Sequence, residues 1–263
     1  MKPMNGGMAA KIWYIAYPFL FYYAVMLVIM TLAQWVIGSD NEHFVACQLI
    51  ATLITIPFMT PFYRQDQALA GIPRRRPEVT KKKMVFAVLV VVVTTCIGIG
   101  LNNIISMTPL VSISVGYQEA NAGFYGSTLV LELLSSALFT PILEELVFRG
   151  ILFTRLKGVM PRVFAVPISA ILFAMMHFNI VQFIYAFLLG IVLALLMERG
   201  QNVFYAMLGH MTVNLIAVIR TETGILNRIV AGDAFSWIIS VFLLATGLIV
   251  LHRFTVIQSY SHS

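Results

Sequence analysis

Charged residues are scarce in this chain, and their scarcity decides its class. Only 11% of its 263 residues are Asp, Glu, Lys or Arg, while 60% are hydrophobic; a soluble domain has roughly 25% charged residues. Nucleic-acid-binding proteins place their basic residues on one solvated face, whereas here the net charge of +6 is distributed between apolar runs. The composition therefore predicts a protein of the lipid bilayer with no nucleic-acid partner.

Cysteine is almost as rare. Cys47 and Cys96 are the only two, and both lie inside apolar runs, where cysteine behaves as a small hydrophobic residue. The sequence also lacks a CxxC pair, a glycine-rich phosphate loop, an internal repeat and a low-complexity tract. Redox chemistry and a cysteine-held metal are therefore not indicated.

Long apolar runs are what the chain has instead. Each of eight runs comes close to the roughly 20 residues that a helix needs to cross a bilayer, and the first is too long for a signal-peptide core. They cover residues 12–37, 44–62, 84–107, 127–146, 163–178, 180–197, 203–219 and 235–251. The sequence thus predicts an all-α, polytopic membrane bundle of about eight transmembrane helices.

The basic residues predict how this bundle is oriented, because cytoplasmic loops carry an excess of Lys and Arg. With both termini cytoplasmic, fifteen of the 17 Lys and Arg residues, Arg149 and Arg155 included, fall inside, and only Arg220 and Arg228 fall outside. The basic loop 63–83 is predicted to fix the orientation and contact lipid headgroups. Residues 108–125 have no Lys or Arg and are predicted to form an extracytoplasmic loop.

Two adjacent acids inside the fourth run are the first functional signal, since intramembrane acids mark function by default. They belong to Glu144-Glu145-Leu146-Val147-Phe148-Arg149-Gly150. Glu145 precedes Arg149 by four residues, the favourable order for a helical ion pair. Glu144 points about 100° away around the helix and remains available for chemistry, while Pro141 predicts a kink. The alternative is a solvated pair of acids at the membrane boundary.

Two later runs carry paired polar residues. Phe173 and His177 are four residues apart, as are His210 and Asn214, so each pair projects from one helical face. In an apolar helix such groups face the bundle interior or a cavity, although interhelical hydrogen bonding alone would also account for them.

Together, these groups suit hydrolysis. Glu144 beside His177 would take a proton from water, while His210 and Asn214 would donate hydrogen bonds to the oxyanion. The same Glu144, His177 and His210 also suit a zinc ion with one position left for water. Spacing does not choose between the two, because no compact motif such as HExxH is present. No serine lies in a GxSxG context, so a serine nucleophile is not predicted.

The three motifs, in this order on successive apolar runs, resemble those of the CPBP family of intramembrane endopeptidases. This family is also called the Abi, or CAAX protease and bacteriocin-processing, family, and it includes the type II CAAX prenyl endopeptidases. The resemblance spans about residues 125–220. It implies a catalytic core over residues 121–220, preceded by membrane helices with the basic loop (1–120) and followed by a loop, a final helix and a cytoplasmic tail (221–263).

The resemblance also implies a cavity open toward the cytoplasmic side. In it Glu144 and His177 would activate water, His210 and Asn214 would stabilise the oxyanion, and a second set would support the site: Glu145, Arg149 and Phe173. The implied partners are a peptide or membrane-protein substrate and the lipid bilayer, and the implied location is a bacterial cytoplasmic membrane. A divalent metal such as zinc stays open, because family members carry both metalloprotease and glutamate-protease labels.

Depth in the membrane is the difficulty for this hypothesis. His177 lies fifteen residues beyond Arg162, about 22 Å along an ideal helix, whereas Glu144 lies close to the basic Arg149. We therefore predict that residues 150–161 are partly embedded and that the four site residues converge. The alternatives are a non-catalytic membrane adaptor or bacteriocin-immunity protein, and a proton-coupled transporter, which the lack of paired broken helices disfavours.

Overall fold

The protein is all-helical. The computed structural model describes residues 7–71 and 80–256, and within these ranges it contains no strand. The main helices are α1 (Met8–Ile37), α2 (Asn41–Leu69), α3 (Lys81–Ser106), α4 (Val115–Phe124), α5 (Leu129–Lys157), α6 (Arg162–Met175), α7 (Ile180–Gly200), α8 (Val203–Thr223) and α9 (Ala234–Val256). The predicted all-α membrane fold is confirmed, and every predicted apolar run corresponds to a helix.

Six of the described helices are long and apolar enough to cross a membrane: α1, α2, α3, α7, α8 and α9. A seventh span is obtained if α4 and α5, which meet at a 109° bend, are counted as one broken crossing. Helix α6 is apolar but has only 14 residues. The count of eight spans and the cytoplasmic position of both termini therefore remain predictions. The arginine cluster of the basic loop, residues 74–76, lies outside the described residues.

The segment predicted as an extracytoplasmic loop is itself largely helical. A single helical turn, Leu110–Ile113, is followed by α4. The Ser114 side chain accepts a hydrogen bond from the Tyr117 amide at the start of α4. The absence of Lys and Arg thus correctly indicated a connection between long helices. The capping signal at Ser114, which marks the start of a helix in this connection, was overlooked.

Side-chain caps begin several of the long helices, as expected where backbone amides lack partners. Asp40 caps α2, Asn179 caps α7 and Asn202 caps α8, each through its side-chain oxygen. At α9, Asp233 accepts from the Ser236 hydroxyl and amide and pairs with Arg228. These contacts lower the pKa of Asp233 to about 2, so this cap is charged at neutral pH.

Helix α5 lies at the centre of the packing, in contact with α1, α2, α6, α7 and α8. Every residue from Leu146 to Phe153 is buried, and the Gly150 backbone approaches α2 so closely that a Cβ there would lie 2.8 Å from the Tyr63 ring. Residues 150–156 therefore continue the helix inside the protein. This burial is within the protein, so the partial embedding of residues 150–161 in the membrane remains a prediction.

Two widened turns interrupt α5 on either side of the adjacent acids. The π-helical stretches are Leu133–Phe139 and Leu146–Phe153, with an α-helical turn, Thr140–Glu145, between them. Pro141 has no amide to donate and crowds the preceding turn. The widened turn just before Pro141 gives the proline ring room and removes the need for its amide. Such bulges are frequent at functional sites.

Candidate active site

Glu145 is the centre of a buried polar cluster that joins two helices. Its Oε1 accepts a hydrogen bond from Arg149 at 2.8 Å, with both side chains fully buried. The same oxygen accepts from His210 Nδ1 on α8, also at 2.8 Å. Arg149 further donates to the Gly190 carbonyl on α7 at 3.2 Å. The predicted ion pair is present, and the bond to His210 is an addition that spacing along one helix did not show.

Glu144 points to a different face of α5, as predicted. Its side chain is 20% exposed, whereas that of Glu145 is fully buried. Its Oε2 lies 3.7 Å from His210 Nε2. The imidazole of His210 thus stands between the two acids, bonded to Glu145 through one nitrogen and facing Glu144 with the other.

Phe173 packs against residues of all three motifs. Its ring contacts His177 and His210 edge to face, with centroid distances of 5.2 and 5.6 Å. The Arg149 guanidinium lies 4.3 Å from the centre of the same ring, within the range of a cation–π interaction. Phe173 is itself buried, so it sets the positions of both imidazoles and of Arg149.

Asn214 lies one turn beyond His210 on α8 and also contacts α5. Its Nδ2 donates to the Ser136 carbonyl at 2.8 Å. This carbonyl is at the first widened turn, where the regular helical hydrogen bonds are altered. Sequence analysis considered serines only as nucleophiles, and it missed this role of the Ser136 backbone.

A single cavity of about 640 Å³ is lined by all four predicted site residues, Glu144, His177, His210 and Asn214, together with Phe173. Polar side chains from other helices share this lining: Gln48, Asn102, Gln182 and Tyr185. The structure therefore places the predicted site residues around one cavity with a partly polar lining.

The cavity opens at one end of the helical bundle. From Glu144 it extends to the end of the bundle that holds the start of α2, helix α4 and the end of α8, where exposed residues such as Asn41, Glu119 and Thr221 form its rim. None of its lining residues comes from residues 63–71, 80–83, 150–162 or 198–202. In the predicted orientation this rim is extracytoplasmic, so the predicted orientation and the cytoplasmic opening that the resemblance implied cannot both hold.

A second buried ion pair supports the far end of α5. Arg155 donates to Asp66 on α2 at 2.7 Å and to the Tyr14 carbonyl on α1. Its guanidinium also packs on the Tyr14 ring, at 4.3 Å. Arg155 and Arg149 were counted as loop cations in the orientation argument, but both are buried. Asp66 is an acid next to an apolar run, and this signal could have revealed the pair.

The arrangement does not offer a ready set of metal ligands. Across residues 7–71 and 80–256, no group of three or more His, Cys, Asp or Glu side chains is placed to hold a metal ion. His210 Nδ1 is already bonded to Glu145. As they stand, Glu144, His177 and His210 do not fit a three-ligand zinc site.

Comparison with known proteins agrees with the motifs. The model of one family, described as Type II CAAX prenyl endopeptidase Rce1-like, matches residues 126–216. No curated protein and no solved structure matches the chain. The matched region runs from the start of α5 through most of α8 and contains every residue of the candidate site. Residues 126–216 are thus similar to the Rce1-like family, which is consistent with the CPBP, or CAAX protease, family that the motifs resemble.

Proposed function

We propose that this membrane protein is an intramembrane endopeptidase in which Glu144 activates the water that attacks a peptide bond. The observation that carries the proposal is the unequal environment of the two acids. Glu145 is buried between Arg149 and His210, whereas the Glu144 carboxylate reaches the cavity. The Rce1-like match supports a CAAX-type membrane protease.

Glu144 is the proposed general base. A general base must be within hydrogen-bond reach of the water that it deprotonates, and of the two acids only Glu144 has a partly exposed side chain. His177, on the wall of the same cavity, would hold the water in place. The proton passes from water to the Glu144 carboxylate and from there to the leaving amine.

His210 and Asn214 are the proposed oxyanion donors. Glu145 accepts from His210 Nδ1 and so fixes the orientation of the ring, which leaves Nε2 as the nitrogen that would donate to the oxyanion; donation through both nitrogens uses the doubly protonated imidazole. Asn214 uses one amide hydrogen on the Ser136 carbonyl, which leaves the second for the substrate. Donors fixed in this way before the reaction require little reorganisation as charge develops. This mechanism uses no metal ion.

The proposed substrate is a peptide or a segment of a membrane protein. The site lies within a bundle of membrane-spanning helices, so the scissile bond must enter the bilayer or lie next to it. The proposed location is a bacterial cytoplasmic membrane, which is what the family resemblance implies.

Cleavage of a quenched fluorescent peptide library by the purified protein in detergent tests the proposal. We expect Glu144→Gln to lower the rate by about 10²- to 10⁴-fold, the usual contribution of a general base. The matched control is Glu42→Gln, which alters an exposed acid in the first turn of α2 and should cleave like the wild type. A Glu144→Gln protein that cleaves at the wild-type rate would exclude this mechanism. If no protein cleaved any peptide and the Glu144→Gln variant kept full cellular function, the adaptor hypothesis would be favoured.

A further inference from the structure

Arg220 lines the same cavity as the proposed catalytic residues, near its rim. It lies in the last turn of α8 and donates one hydrogen bond, to Asn103 Oδ1 at 3.2 Å. Ion pairs within the described residues involve other cations, and none includes Arg220. A guanidinium has five N–H donors. The one hydrogen bond to Asn103 therefore leaves Arg220 with donors available for a ligand.

The surroundings of Arg220 suit an anion. Tyr117, Tyr125 and Tyr185 lie near Arg220 and line the same cavity, and a phenolic hydroxyl is a hydrogen-bond donor for an anion. A partly buried cation is costly without a counter-charge, and a ligand carboxylate would supply one that the described protein residues do not.

The distance to the proposed catalytic centre sets the register of a bound peptide. Arg220 is ten residues after His210 on the same helix, which corresponds to about 15 Å. An extended peptide advances about 3.3 Å per residue. A peptide with its scissile bond at Glu144 and His210 would therefore bring a group four or five residues away to Arg220.

We propose that Arg220 binds a carboxylate of the substrate, four or five residues from the scissile bond, and so selects which peptides are cleaved. This inference rests on the proposed peptidase function. The carboxylate is either the C-terminal group of the peptide or an Asp or Glu side chain, because both present the same two oxygens to a guanidinium.

Matched apolar decapeptides with a quenched fluorophore test this assignment. One set ends in a free carboxylate or in an amide, and the other carries Glu or Gln at the fourth or fifth position from the cleaved bond. We expect the wild type to prefer the carboxylate in at least one set by about tenfold or more in kcat/KM, as a charge-assisted hydrogen bond gives. The set that shows the preference identifies the source.

Variants assign the preference to Arg220. Arg220→Gln should bring the ratio of kcat/KM values close to one, and Arg220→Glu should favour a peptide with Lys in place of Glu. The control is Arg228→Gln, which removes a nearby exposed arginine paired with Asp233 and should retain the wild-type ratio. Thermal unfolding checks that each variant is folded, and Arg220→Lys keeps the charge if the glutamine variant is not.

A binding measurement separates failure of this inference from failure of the peptidase proposal. Fluorescent forms of the same peptides are titrated onto Glu144→Gln and onto the double variant Glu144→Gln/Arg220→Gln. We expect the carboxylate peptide to bind the first about tenfold more tightly than the second, even if no peptide is cleaved. Equal affinity for both proteins, or a wild type that treats carboxylate and amide alike, would overturn the role of Arg220.

Discussion

One oxygen of Glu145 accepts hydrogen bonds from both Arg149 and His210, each at 2.8 Å. The carboxylate therefore fixes a cation on its own helix and an imidazole on α8 at the same time. Because all three groups are buried, the hydrogen bonds among them replace those that water would otherwise make. The following predictions begin from this cluster.

The two adjacent glutamates should differ in what they stabilise. Glu145→Gln leaves the buried Arg149 cation without its counter-charge, and breaking a buried pair costs about 3–5 kcal/mol. Glu144→Gln changes a group with access to the cavity and should leave the melting temperature close to that of the wild type. Thermal unfolding in detergent measures both. Equal melting temperatures for the two variants would show that Glu145 is not the structural partner.

Alanine should be unfavourable at Gly190 and harmless at another helical glycine. A Cβ on Gly190 would lie 3.0 Å from Arg149 Nη2 and 3.1 Å from the Ala170 Cβ, which would push Arg149 away from the Gly190 carbonyl. At Gly116 the closest atom would be 3.5 Å away. Since alanine favours a helix over glycine by up to about 1 kcal/mol, Gly116→Ala should not lower the melting temperature. Gly190→Ala should lower both melting temperature and activity, and unchanged values would contradict the close packing around Arg149.

The Asp66–Arg155 pair should show strong coupling between α2 and α5. Asp66→Asn leaves Arg155 buried without a counter-charge, and Arg155→Met does the same to Asp66, so each alone should destabilise the protein. The double variant removes both charges and should recover part of the loss, giving a coupling energy of about 0.5–3 kcal/mol. Denaturant titration of the four proteins measures it. Strictly additive effects would mean that the contact contributes no pairwise stabilisation.

Chelation should leave peptidase activity unchanged. The described residues offer no set of three ligands, and the proposed mechanism relies on Glu144 alone to activate water. Cleavage rates before and after EDTA treatment and dialysis test this, with added zinc as the reverse experiment. Loss of activity that zinc restores would replace the glutamate mechanism with a metal-dependent one.

If the predicted orientation is correct, the rim of the cavity is accessible from outside the cell. In a background without Cys47 and Cys96, a cysteine replacing the exposed Glu119 should react with a membrane-impermeant maleimide on intact spheroplasts. A cysteine replacing Arg162, at the start of α6, should react only after permeabilisation. The reverse pattern would invert the predicted orientation and place the cavity rim in the cytoplasm.

Local rules predicted the parts of the site that lie within single helices. The spacing of Glu145 and Arg149 predicted their ion pair, and the same spacing placed His210 and Asn214 on one face. Burial of several polar groups in apolar helices predicted that they share a cavity, because lipid cannot satisfy them. These inferences need only helical geometry and the cost of desolvation.

The remaining features depend on contacts between distant residues. Asp66 and Arg155 are 89 residues apart, and Arg155 resembled a loop cation because the helix was expected to end earlier. The widened turns of α5 have no simple sequence signal apart from Pro141. The cavity direction was implied by resemblance and depends on how α4 and α8 pack, which no single-helix pattern specifies.

The shortness of α6 has a consequence for the surrounding lipid. Its 14 residues rise about 21 Å, less than the roughly 30 Å of hydrocarbon in a bilayer. A helix too short for the membrane causes local thinning of the bilayer or draws headgroups toward its ends. His177 follows α6 directly, so on this side of the protein headgroups and their hydration water would come closer to the imidazole than the thickness of an undisturbed membrane suggests.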